Sequence, residues 1–131
     1  MSRIDLADGI RLIHAASGDE RFGHEAHLRF AWSLLDEADR LEDAERVACQ
    51  TIRHAAEMAG TPDKYHCTIT LFWTRLIDHV RETHPDVSTL SEAIEAYPDL
   101  RDPHLPDRYW SDTDDEEAKT HWVDPDLEPM P

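Results

Sequence analysis

Apolar residues recur at intervals of three and four through most of the first hundred positions, as the buried faces of amphipathic helices require. Leu28, Ala31, Trp32, Leu35 and Ala38 mark one face of a helix expected over 24–40. Ala44, Val47, Ala48, Thr51, Ala55 and Met58 mark a second over 42–59, and Gly60 is placed to end it because glycine tolerates the left-handed conformation there. Thr61 followed by Pro62 reads as an N-cap and a first-turn proline, so a third helix is expected to open almost at once. It carries Ile69, Phe72, Trp73, Leu76, Ile77 and Val80 and must end near His84, ahead of Pro85. Thr89 and Glu92 have capping-box spacing for a shorter helix that turns Leu90, Ala93, Ile94 and Tyr97 inward, with Pro98 as its stop. Leu6, Ile10 and Ile13 indicate a further short helix near the start.

Short connections make successive helices antiparallel. The expected fold is therefore all-α: an up-down helical bundle of three long helices and one short. Six of the eight prolines fall within 98–131, which rules out one continuous helix there. Tyr109, Trp110, Trp122 and Val123 lie in the same stretch, so the expectation is a Pro-rich C-terminal arm wrapping the bundle. A chain of 131 residues suits a single domain, read as an N-terminal segment 1–22, a helical bundle 23–97 and an extended arm 98–131.

Charge narrows the partners. Lys and Arg number 13 and Asp and Glu 29, a formal net charge of −16. Such a surface repels phosphates, so neither nucleic acid nor an anionic membrane is an expected partner. No apolar run approaches the roughly 18 residues of a membrane span. The first residues include Asp5 and Asp8 and lack the basic-then-apolar pattern of a signal peptide, so a cytoplasmic location is expected. Two lysines against eleven arginines fit the codon bias of a GC-rich bacterium. Cys49 and Cys67 form no Cys-x-x-Cys pair, and the expected helices put them at different levels, too far apart to bridge.

The candidate chemistry lies with the histidines. With turns near Leu41 and at Gly60–Thr61, His27, His54 and His66 fall within one helical turn of the same level, and His24 shares a face with His27. Two imidazoles at i, i+3 with others from neighbouring helices suit a divalent transition metal such as Zn, Fe or Cu. The expected ligands are His24, His27 and His66, with His54 or Glu57 as a fourth ligand or base; Glu20 and Glu25 are close in sequence. Lys64 and Tyr65 are placed to orient a small anionic molecule or to donate protons, and Thr68 and Thr70 add hydroxyls. Cys67 is read as packed rather than nucleophilic. His79, His84, His104 and His121 are read as half-exposed residues with backbone bonds, and His14 as packing beneath the bundle.

The segment Phe22-Gly23-His24-Glu25-Ala26-His27-Leu28, paired with Lys64-Tyr65-His66-Cys67-Thr68-Ile69-Thr70, resembles a group of small bacterial helical proteins. That group shares a His-x-x-His-Leu and a Lys-Tyr-His-x-Thr motif. The resemblance extends through Arg108-Tyr109-Trp110-Ser111 and His121-Trp122-Val123-Asp124-Pro125, and it implies no activity. The function expected from the residues is a small enzyme with a histidine-lined pocket at one bundle end, metal-dependent and acting on a small anion. The alternative is an acidic protein–protein interaction module without catalysis, contacting a basic partner through the arm and the run 112–117. A homodimer is left open.

Overall fold

The computed structural model describes residues 4–17 and 23–131, and all regular elements among them are helical. Four longer helices come first: α1 (Leu6–Ser17), α2 (His24–Glu37), α3 (Leu41–Met58) and α4 (Cys67–Thr83). Two shorter ones follow, α5 (Leu90–Ala96) and α6 (Glu116–Thr120). Single 3-10 turns stand at Pro62–Lys64, Pro98–Arg101 and Leu105–Arg108. Among the described residues, no helix is long and apolar enough to cross a membrane.

Two apolar cores lie on different faces of α2. The first gathers Leu28 and Ala31 of α2, Phe72, Trp73, Leu76, Ile77 and Val80 of α4, Ala93 of α5, and Leu100, Leu105, Tyr109 and Trp110. The second joins Ile4, Leu12, Ile13 and Ala16 to Phe30 and Leu34 of α2 and to Ala44, Val47 and Ala48 of α3. Phe30 and Leu34 are fully buried although they stand off the apolar stripe that the sequence displays. A helix packed between neighbours on two sides buries more than one stripe, and α2 contacts α1, α3 and α4. Against α3, Gly9 sits so close that a Cβ there would meet Thr51 Oγ1 at 1.9 Å, so glycine sets the approach of α1.

Several local expectations change. Thr61 and Pro62 open a 3-10 turn rather than the third long helix, which begins at Cys67 with His66 as its N-cap. The His66 ring accepts the Ile69 amide at 3.1 Å, and this satisfies a backbone N–H that the first turn leaves without a helical partner. Met58, expected to face inward, is 76% exposed at the last position of α3. His14 is exposed on α1 and does not pack beneath its neighbours. The N-cap half of the box at Thr89 forms, since its Oγ1 accepts the Glu92 amide at 3.2 Å, while the Glu92 carboxylate reaches one residue further back, to the Ser88 amide at 3.3 Å.

From Pro98 onward, short helical turns replace a simple extended run. Trp110 donates its indole N–H to the Val123 carbonyl at 2.9 Å, and the Leu127 amide donates to the Tyr109 carbonyl at 2.9 Å. This segment is tied to α4 by Thr68, which donates to the His121 carbonyl at 2.7 Å and accepts the Val123 amide at 3.2 Å. The Arg75 guanidinium lies 4.0 Å over the Trp122 ring, a cation–π contact, and also pairs with Glu45 at 2.8 Å.

Candidate functional sites

A cavity of ≈ 510 Å³ opens where α1, α2, α3 and α4 meet the 61–66 connection. Its apolar wall comes from one stripe of α3 (Ile52, Ala55 and Ala56) and the Ala59 that follows it, facing Ile13 and Ile69. The three alanines leave the space that larger side chains at those positions would fill. His27, Thr61, Lys64, His66 and Thr70 supply the polar groups of the lining.

The histidines expected to act together are in different circumstances. His27 has its Nε2 enclosed, and burial lowers its pKa to about 4, with a smaller contribution from nearby His24. It is therefore neutral at neutral pH. His66 is pinned at both ring nitrogens, since Nδ1 accepts from Ile69 and Nε2 contacts the Thr113 carbonyl. Accepting at Nδ1 leaves the proton on Nε2, which donates to Thr113. His24 turns to the other core, where Nε2 donates to the Leu100 carbonyl at 2.7 Å and its ring meets Trp73 edge-on at 4.6 Å. His54 is partly buried on α3 and lines neither this cavity nor the one beside Tyr65. Glu57 is exposed and pairs with Arg53 at 3.3 Å. Glu20 and Phe22 lie outside the described residues. Among the described residues, no three His, Cys, Asp or Glu side chains are grouped to hold a metal ion.

No protein-family model, curated protein or solved structure matches this sequence. The chemistry is therefore read from the geometry alone.

A second constellation was not anticipated. Cys49 of α3 and Cys67, the first residue of α4, face each other with their sulfurs 3.8 Å apart. The expectation that they are too distant is corrected. Its error was the start of the third long helix: residues 59–66 form a connection with only a single 3-10 turn, and α4 begins beside the middle of α3. Tyr65 interacts with both sulfurs and so separates from Lys64, which stays exposed at the cavity. The Cys67 thiol is lowered to about 6, first by the hydrogen bond from Cys49 and then by that from Tyr65, against the opposing effect of burial. Cys49 moves the opposite way, because its hydrogen bond to Cys67 holds its proton. Burial and the adjacent sulfurs push the Tyr65 hydroxyl up as well. The signal available in the sequence was Cys67 immediately after His66, at the start of an apolar-periodic run.

Beside this group lies a separate cavity of ≈ 460 Å³, lined by Arg53, Glu57, Pro62, Tyr65, Thr120 and His121. Arg53 is one helical turn beyond Cys49, so the cavity continues along the face of α3 that bears the thiol.

Proposed function

We propose that the protein binds a small organic anion with an apolar body in the alanine-walled cavity between α1 and the start of α4. The observation that carries this reading is the division of the lining. Ile13, Ile52, Ile69 and the three alanines form an apolar chamber, and Lys64 stands among its lining residues as an exposed cation. Pockets of this kind gain affinity from the apolar chamber and orientation from a few polar groups. His27 is neutral and the Thr70 hydroxyl spends its proton on the His66 carbonyl at 2.8 Å, so the ligand's negative charge is met by Lys64. A local cation within a chain of net charge −16 favours a compact monoanion over large polyanions.

Binding, rather than metal-assisted turnover, is the reading supported. Both nitrogens of His66 are occupied, and Tyr65 serves the sulfurs instead of the chamber. Calorimetric titration with octanoate, with octylamine as the charge control, tests the proposal. One equivalent of octanoate should bind saturably, and octylamine should not. Ala56→Trp should abolish binding by filling the chamber, and Lys64→Gln should weaken it several-fold, with circular dichroism showing both variants folded. Octanoate binding that survives Ala56→Trp, or no binding by the unaltered protein, overturns the proposal.

A further inference from the structure

We infer that Cys49 and Cys67 form a peroxide-reactive dithiol, with Cys67 as the attacking thiol and Cys49 as the thiol that resolves it into an intramolecular disulfide. The inference is independent of the anion cavity. It rests on three features of placement. The sulfurs are already in van der Waals contact at 3.8 Å, so rotation about the side-chain bonds has less than about 2 Å to close to reach a bond of about 2.05 Å. Cys67 occupies the first position of a 17-residue helix, where backbone N–H groups and the helix dipole favour a thiolate. Tyr65, two residues before Cys67, lines the ≈ 460 Å³ cavity, so a space large enough for hydrogen peroxide ends at the residue beside the dithiol. Cys67 itself is only 8% exposed, so larger electrophiles are held off.

The chemistry balances with hydrogen peroxide as the oxidant. The Cys67 thiolate attacks one peroxide oxygen, the O–O bond breaks, and a sulfenic acid forms while hydroxide leaves and takes up the proton that Cys67 lost on ionising, as water. The Tyr65 hydroxyl beside Cys67 favours the thiolate that makes this attack. Cys49 sulfur then attacks the sulfenic sulfur, its proton passes to the departing hydroxide, and the S–S bond closes. Two thiols and one peroxide give one disulfide and two waters.

The test is intact-mass and thiol-alkylation analysis of the full chain after one equivalent of hydrogen peroxide, with maleimide or dimedone added as the protein is unfolded in urea. The unaltered protein should lose two hydrogens in mass, become resistant to maleimide at both cysteines, stay monomeric on non-reducing gels, and recover with dithiothreitol. Cys49→Ser should stop at the sulfenic acid, trapped by dimedone at Cys67. Cys67→Ser should react at least tenfold more slowly than Cys49→Ser, and Tyr65→Phe should slow the first step several-fold. Maleimide labelling of both thiols after peroxide, a disulfide found only between chains, or equal rates in the two serine variants overturns the inference.

Discussion

A neutral imidazole enclosed near the start of α2 makes stability depend on pH. The unfolded chain protonates His27 near 6.5, whereas burial lowers the folded value to about 4. A base with a lowered folded pKa opposes protonation, so its contribution is complete above about 6.5 and is lost as pH falls toward 4. At 1.36 kcal/mol per pKa unit the loss is roughly 3 kcal/mol at most. Urea denaturation of the unaltered protein and of His27→Gln should therefore show a steeper fall in stability between pH 7 and 4 for the former. Parallel curves would mean that His27 titrates as if exposed. The neighbouring carboxylates titrate in both proteins, so the comparison between the two isolates the imidazole.

At the scale of elements, His66 does unusual work for a histidine: it caps α4 through Nδ1 and holds the segment at Thr113 through Nε2. Loss of a helix N-cap costs about 1 kcal/mol. His66→Ala should remove both contacts, whereas His66→Asn should keep a cap and lose only the tether. Chemical denaturation should rank stability as His66, then Asn, then Ala, and amide exchange at Ile69 should accelerate mainly in the alanine variant. Equal losses would show that the cap contributes nothing. What was legible in the sequence follows the range of the interactions. The Thr89 capping box and the ends of α2 and α3 depend on residues within a turn of one another, and they stand within a few residues of where the pattern put them. The start of α4 was misread because Thr61–Pro62 carries the usual signal while the residue that caps is a histidine. From that misplaced start came the wrong distance between Cys49 and Cys67, whereas His27 and His66 do line one cavity. The second buried face of α2 was illegible for another reason: nothing local to Phe30 or Leu34 tells that α1 returns against them.

Over the whole molecule, the two cores differ in where their parts lie along the chain. The second core is built from residues between Ile4 and Ala48, with Ile52 and Ala55 packed against it. The first needs Leu100, Leu105, Tyr109 and Trp110, with Trp122 and Met130 against them. A protein truncated after Tyr97 keeps every residue of one core and strips from Phe72 the Tyr109 and Trp110 rings that pack on it in the other. Removing a single buried large aromatic costs about 3–5 kcal/mol, and whole domains hold only about 5–15. The truncated chain should thus retain helical circular dichroism from α1–α3, lose a sharp thermal transition and expose apolar surface to a hydrophobic dye. An unchanged melting curve would show that the last 34 residues (131 − 97) contribute no stability. The same asymmetry has a consequence in time. A ribosome delivers a chain from its N-terminus at about 5–20 residues per second. The α1–α3 core has all its residues once Ala48 has emerged, but the apolar face of α4 waits for Leu100, Leu105, Tyr109 and Trp110 to be made. Until then Phe72 stands uncovered in a nascent chain whose earlier core is already able to close, and Tyr109 and Trp110 are the aromatics that end the wait.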